Sequence, residues 1–136
     1  MTSPIVLTQP ERDYLLGQPL ARLATVAADG APQNNPVGVF IDEETGDIVI
    51  GGHAMGGTRK FRNVRLNSQV ALVADDLVSS DPWRVRGVEI RGTAAALVDV
   101  DPPVPFMSRE LIRITPTWVA SWGIDPAVEG MQIRRG

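Results

Sequence analysis

Short runs of alternating apolar and polar residues, separated by turn residues, make up most of this chain. Residues 20–27 and 33–42 are two such runs, and Asp29-Gly30 between them is a typical hairpin signal. Four further strands are predicted at residues 47–52, 69–74, 85–98 and 111–122. Consecutive short strands with tight turns predict a mainly β protein, an antiparallel barrel or sandwich of about six strands.

Short helices interrupt the strands. Thr8-Gln9-Pro10-Glu11 has the pattern of a capping box with proline in the first turn, and Gly17 is expected to end the helix that follows. A second helix is predicted over residues 58–67, because its arginines recur at i, i+3 spacing on one side. A short helical turn is predicted at residues 106–110.

Prolines, glycines and polar runs predict where the strands are disturbed. Pro36 cannot donate to a strand ladder, so its strand should be bulged or lie at an edge. A polar loop is predicted from Asp75 to Arg84, and residues 85–98 form one strand or two halves with a bend near Gly92. The last strand is expected to be interrupted at Pro116, and residues 123–136 are expected to be loose.

Length and charge narrow the class of protein. The chain has 136 residues, which predicts a single domain over residues 1–136. Its formal net charge is -3, which argues against a nucleic-acid partner. No apolar stretch reaches the length of a membrane span, and the N-terminus lacks the pattern of a signal peptide. We therefore expect a cytoplasmic protein with no membrane partner.

Few side chains are available for direct catalysis. Cysteine is absent and His53 is the only histidine, so neither a thiol nucleophile nor a histidine-rich metal site can be built. The acidic residues lie mostly in turns, where solvated carboxylates are common. His53 either contacts a phosphate or a ribose-like hydroxyl, or is a structural residue, and the structural interpretation is favoured. We predict no catalytic side chain and no metal.

One basic cluster contrasts with the acidic chain. The segment from Gly56 to Arg65 carries four cations, including the only lysine, Lys60, and no anion. Backbone N–H groups at a helix N-terminus attract anions, and an arginine and a lysine beside them suit a phosphate. A solvated basic helix face has the same composition. The residues alone therefore allow either a phosphate site at residues 57–62 or a solvated surface.

Large aromatic rings are the other candidate binding features. Trp118 and Trp122 are four residues apart, so in a strand they share one face. They form either a core plug or the wall of a pocket for a flat ligand, and the core plug is favoured.

The order of these segments resembles a known family. It is carried by Arg22-Leu23-Ala24-Thr25-Val26, then Asp29-Gly30 with Pro32, then Asn35-Pro36-Val37, then Thr58-Arg59-Lys60. Together they resemble the pyridoxamine 5′-phosphate oxidase-like split β-barrel family. The stretches from Asp75 to Trp83, from Arg86 to Gly92 and from Ser121 to Gly123 resemble its actinobacterial branch that uses the deazaflavin coenzyme F420. The resemblance spans residues 8–124.

The resemblance implies a six-stranded antiparallel split β-barrel of the FMN-binding type and a homodimer with two cofactor sites at the subunit interface. It implies that Thr58, Arg59 and Lys60 hold the cofactor phosphate, while the first two strands flank the ring and the end of the third approaches the ribityl chain. Trp122 would come from the partner subunit. The implied cofactor-binding residues are Arg22, Leu23, Ala24, Thr25, Asn35, Pro36, Val37, Gly51, Gly52, His53, Thr58, Arg59, Lys60 and Trp122.

The activity that the resemblance implies is hydride transfer from reduced coenzyme F420 to an unsaturated ketone or a quinone-like small molecule. Two alternatives use the same scaffold, an FMN-dependent oxidoreductase and a non-catalytic flavin- or deazaflavin-binding protein. Oxidation of pyridoxamine phosphate is not expected, because Arg134-Arg135 is a poor substitute for the arginine-rich C-terminal pattern of that oxidase.

Overall fold

Eight strands and two helices follow one another along residues 2–136, the part of the chain that the computed structural model describes. The helices are α1 (Gln9–Gly17) and α2 (Arg59–Leu66), and a 3₁₀ turn at Met55–Gly57 precedes α2. The strands are β1 (Ala21–Val26), β2 (Pro32–Val37), β3 (Phe40–Ile41), β4 (Ile48–Ile50), β5 (Gln69–Ser80), β6 (Trp83–Leu97), β7 (Leu111–Trp122) and β8 (Met131–Arg135).

All eight strands belong to one antiparallel sheet. Its order is β2-β1-β5-β6-β7-β4-β3, and β8 pairs with β7 beyond the stretch that β4 occupies. The two ends of this path, β2 and β3, are joined by only Gly38 and Val39, so the sheet must curl until its edges approach each other. The predicted class, a mainly β split barrel, is confirmed, with eight strands in place of the predicted six.

The core lies inside the curl of the sheet. Strand residues at alternate positions supply it, and Ile48, Ile50, Ile112 and Ile114 have no exposed surface. Phe61 of α2 is also buried there, at 1% exposure. Burying a phenylalanine side chain contributes about 1.5–3 kcal/mol, so this contact holds the start of α2 against the sheet.

Helix α1 begins as its sequence predicts. The Thr8 hydroxyl accepts a hydrogen bond from the Glu11 backbone N–H at 3.3 Å, and the Glu11 carboxylate accepts one from the Thr8 N–H at 2.9 Å. This reciprocal pair is the capping box, and it satisfies two donors that the first turn leaves free. The predicted start of α1 and its end at Gly17 are confirmed.

The prediction of a polar loop from Asp75 to Arg84 is wrong, because this segment extends β5 and β6 into a long hairpin. The ladder pairs Asp76 with Arg86 and Leu77 with Val85. Arg86 donates two hydrogen bonds to the Asp76 carboxylate, at 3.0 and 2.7 Å. Polar residues can extend a ladder when opposite charges face each other across it, and this pair does so.

The segments on either side of β7 also differ from expectation. Residues 106–110 form a loop without a helical turn, in which the Ser108 N–H donates to the Gly52 carbonyl at 2.8 Å. Residues 131–135 of the tail that was expected to be loose form β8. Strand β7 is not interrupted at Pro116, because a bulge that skips Thr117 absorbs the change of register.

Three smaller predictions about the strands have different outcomes. Strand β6 is continuous from Trp83 to Leu97, which is the first of the two predicted alternatives, and its register with β7 shifts at Gly92, where a Cβ would overlap the Thr115 carbonyl oxygen. The strand predicted over residues 33–42 divides into β2 and β3. Pro36 lies in β2, which ends the sheet path, so its predicted edge position is confirmed.

We expect the Asp76 contacts to make stability depend on pH. The Arg86 hydrogen bonds, and then that of the Tyr14 hydroxyl at 2.6 Å, hold the pKa of Asp76 below its ordinary value of 3.8. Because the folded-state pKa is depressed, this stabilisation is complete above the unfolded-state pKa and is lost as the pH falls through the folded-state pKa. Asp76→Asn should lower the free energy of unfolding by about 1 kcal/mol near neutral pH.

Thermal unfolding of the wild type and Asp76→Asn, followed by circular dichroism from neutral pH into the acid range, measures this effect. The difference between the two melting temperatures should narrow as the pH falls below the ordinary pKa of aspartate, and it should close only below the depressed folded-state pKa of Asp76. The neighbouring Asp75→Asn is the matched control, because Asp75 is exposed and the charge change is identical. A difference that stays constant across the whole pH range would contradict this role of Asp76.

Candidate functional site

The N-terminus of α2 is fixed at the surface by its own cap. The Thr58 hydroxyl accepts from the Phe61 N–H at 3.3 Å and donates to the Met55 carbonyl at 2.7 Å. Phe61 and Val64 anchor the inner side of the helix in the core. The first backbone N–H groups of α2 have no partner within the helix, so they present donors to whatever lies in front of it.

A polar cleft lies between this helix start and the edge strand β2. It has a volume of about 400 Å³. Three residues of each element line it: Gln33, Asn34 and Asn35 of β2, with Thr58, Arg59 and Lys60 at the start of α2. Every one of these side chains carries a hydrogen-bonding group, so the cleft suits a polar ligand.

The cleft is positively charged without internal compensation. Across residues 2–136, no carboxylate lies within salt-bridge distance of Arg59 or Lys60, and the first turn of α2 has no acidic residue. The helix dipole adds partial positive charge at the same end. An arginine fork, a lysine and free backbone N–H groups together form an arrangement that binds phosphate. This geometry supports the phosphate interpretation of the basic cluster.

The residues predicted to contact the cofactor are divided among several places. Asn35, Thr58, Arg59 and Lys60 come together in the cleft. The side chains of three others are buried in the core, so these residues have only backbone atoms to offer a ligand: Leu23, Thr25 and Val37.

The outer face of β1 and β2 carries three more of the predicted residues. Arg22 and Ala24 line a shallow depression of about 230 Å³ with Val73 and Glu89, and the register places Pro36 opposite Arg22 on the same face. Asn34 borders both this depression and the cleft, so a ligand with an anionic end and a flat body has adjoining surfaces to occupy. The roles of these residues remain predictions.

The end of β4 does not line the cleft. The Gly52 carbonyl accepts from the Ser108 backbone N–H at 2.8 Å, and a Cβ at Gly51 would overlap the Met107 sulfur. The His53 ring stacks on Phe106, with ring centroids 5.3 Å apart. These contacts favour the structural interpretation of His53 within one chain.

Trp122 is likewise absent from the residues that line the cleft in the same chain. Its ring covers Gly87, where a Cβ would overlap it, on the outer face of the sheet. Trp118 shares that face and packs under Arg91, whose guanidinium carbon lies 3.9 Å from the ring centroid. Both tryptophans are partly exposed, so the core-plug interpretation is wrong.

Sequence reasoning did not include Gln33, Asn34 or Asn63 in the site. Gln33 and Asn35 are two residues apart on β2, so their side chains lie on the same face of the strand. This spacing was the signal in the sequence that could have added Gln33 to the site. Asn63 gave no such signal, because its partners come from strands far away in the sequence.

The profile of the pyridoxamine 5′-phosphate oxidase family matches residues 7–133. The chain belongs to this family. The resemblance inferred from the segment order is thereby confirmed for nearly the whole chain.

Among its relatives, this family member is 50% identical over 119 residues to 5a,11a-dehydrotetracycline/5a,11a-dehydrooxytetracycline reductase of Streptomyces rimosus, covering 87% of this chain and 84% of that one. A conserved hypothetical protein of Mycobacterium tuberculosis shares the fold with a TM-score of 0.68 and 20% identity, over 97% of this chain and 95% of the other. A protein described as F420 reductase shares the fold with a TM-score of 0.61 and 23% identity, over 83% of this chain and 98% of the other.

These findings make this family member an oxidoreductase. The polar, positively charged cleft is suited to a phosphorylated ligand. Neither helix in residues 2–136 has the length and apolar character that a bilayer crossing requires.

Proposed function

We propose that this protein is an F420-dependent reductase that reduces a small unsaturated ketone or quinone-like molecule. The observation that carries the proposal is the cleft at the start of α2, where Arg59 and Lys60 have no carboxylate partner among the described residues. A deazaflavin supplies hydride chemistry when it is bound, so the protein needs no nucleophile. The absence of cysteine is consistent with a reaction that needs no thiol nucleophile.

The side chains of this protein bind and orient the cofactor. Arg59 and Lys60 neutralise the phosphate and fix one end of the cofactor, while Asn34 and Asn35 offer amide groups along the edge of β2. The depression next to Asn34, with apolar Ala24 and Val73, is suited to an adjoining flat ring. The sheet face at this depression would orient such a ring and would exclude water from one side of it.

The proposed substrate class is supported by the relative with 50% identity, which is named for reducing two dehydrotetracyclines. We place the substrate of this protein among polycyclic unsaturated ketones of that kind. The hairpin formed by β5 and β6 carries the exposed apolar side chains Leu77, Val78 and Trp83. An apolar polycyclic substrate suits such a surface.

We include a homodimer in the proposal. Trp122 and the exposed apolar residues Val85, Met131 and Ile133 share the outer face at the β6-β7-β8 end of the sheet. Contiguous exposed apolar side chains of this kind favour self-association. A second copy on this face is consistent with the predicted role of Trp122 at the cofactor site of its partner.

Comparative titration tests the proposal. The purified protein is titrated with coenzyme F420, FMN and FAD in parallel, followed by tryptophan and ligand fluorescence, and is then assayed with the reduced form of each bound cofactor and a dehydrotetracycline. We expect binding of F420 and oxidation of its reduced form only when the unsaturated ketone is present. Failure of F420 to bind would refute the proposal.

An FMN-dependent oxidoreductase is the second candidate, because a flavin phosphate needs the same donors as those in the cleft. It predicts FMN affinity above that for F420 and turnover with reduced FMN. A non-catalytic cofactor-binding protein instead predicts tight binding and no turnover with any unsaturated ketone or quinone offered.

A further inference from the structure

A buried amide connects α2 to the strands beside the cleft. Asn63 lies on the inner side of α2 and is only 6% exposed. Its side-chain NH₂ group donates to the Thr25 hydroxyl oxygen at 3.0 Å and to the Gln33 side-chain carbonyl oxygen at 2.6 Å. Both amide protons are therefore used, one on β1 and the other on β2.

The second of these bonds determines how Gln33 presents its own amide. Because the Oε1 atom of Gln33 accepts a hydrogen bond from Asn63, the Nε2 group of Gln33 is turned away from Asn63. Gln33 also lines the cleft with Arg59 and Lys60. A side-chain amide has a donor end and an acceptor end, so anchoring the acceptor leaves the donor for a ligand.

We propose that Gln33 is a ligand-binding residue whose Nε2–H donates to the anion in the cleft, and that Asn63, held by Thr25, is the positioning residue that fixes its orientation. The anion is the cofactor phosphate, so this inference rests on the proposed function. A neutral amide fixed in this way contributes a directional contact beside the two cations. If the amide were reversed, its carbonyl oxygen would face the anion and repel it.

Nuclear magnetic resonance tests the orientation, with inorganic phosphate as the probe. The Asn63 amide protons should exchange slowly with water, since both are hydrogen-bonded in a buried place. The Gln33 amide protons should exchange fast and should shift when phosphate is added. Protected Gln33 protons, or Gln33 protons that do not respond to phosphate, would overturn the proposal.

Equilibrium binding of F420 and FMN tests the consequence. Gln33→Met keeps the length of the side chain but removes both the donor and the acceptor that Asn63 contacts, so the affinity should fall about fivefold. Its salt dependence should remain that of the wild type, since no charge is lost. Gln69→Met is the matched control, because Gln69 is exposed, lies outside the cleft lining and should leave the affinity unchanged.

A double-mutant cycle separates positioning from general stability. Asn63→Leu should weaken binding about as much as Gln33→Met, and combining the two should weaken it no further. If Asn63 were purely structural, Asn63→Leu would lower the melting temperature but leave the affinity unchanged in both backgrounds. That result would overturn the positioning role.

The outcomes also distinguish this inference from the proposed function. A wild-type protein that binds neither cofactor, yet shows the phosphate-dependent shift of the Gln33 amide, would refute the function and support the role of Gln33. A protein that binds and turns over F420 equally well with Gln33→Met would support the function and refute the role of Gln33.

Discussion

Replacing Arg59 and Lys60 together with alanine is expected to lower cofactor affinity by roughly 10²- to 10⁴-fold. In the proposed site, a charge-assisted contact from each cation to the phosphate would be worth about 1.5–3 kcal/mol, and neither cation has a carboxylate among residues 2–136 that would compete for it. The protein should stay folded, because both side chains lie outside the core. Fluorescence titration with F420 and FMN measures the loss, and circular dichroism checks the fold.

The same helix offers a matched control. Arg62→Ala with Arg65→Ala removes the same charge from α2, but these arginines do not line the cleft, and the Arg65 guanidinium lies over the Phe61 ring at 4.8 Å. This variant should bind within a few-fold of the wild type, and raising the salt concentration should weaken both proteins in parallel. Equal affinities for the Arg59/Lys60 variant and this control would refute the site.

The cationic part of the site could be predicted from the sequence because it is local. Thr58, Arg59 and Lys60 are consecutive, and a helix start brings consecutive residues together without any knowledge of the rest of the fold. Gln33 and Asn63 could not be predicted in the same way. Their contact joins a strand and a helix that are 30 residues apart, and only the curl of the sheet brings them together.

The fold shows the same division between local and distant signals. Capping at Thr8 and the hairpin at Asp29-Gly30 depend on neighbouring residues, and both elements formed where predicted. The extended β5–β6 hairpin and β8 depend on a partner strand. Polar sequences such as residues 75–84 and 131–135 have weak strand preferences of their own, so pairing with a neighbour decides their structure.

We expect Arg134→Ala to lower the free energy of unfolding by about 3 kcal/mol, a large effect for a residue so close to the C-terminus. The Arg134 guanidinium donates to both carboxylate oxygens of Glu11, at distances from 2.8 to 3.1 Å, across 123 residues of sequence. The Glu11 side chain is only 8% exposed, so removing its partner leaves a buried charge with only the Thr8 N–H as a donor. Urea unfolding followed by tryptophan fluorescence measures the change.

A second substitution tests whether the buried charge causes this loss. Glu11→Gln in the Arg134→Ala background should recover part of the stability, because glutamine retains the capping box and carries no charge. Arg135→Ala is the matched control, since Arg135 is exposed and its loss should change stability by no more than about 0.5 kcal/mol. Equal destabilisation by the two arginine substitutions would contradict a specific role of the ion pair. The ion pair with Glu11 connects β8 to α1. Because its guanidinium is bound to Glu11, Arg134 is not free to bind a substrate phosphate.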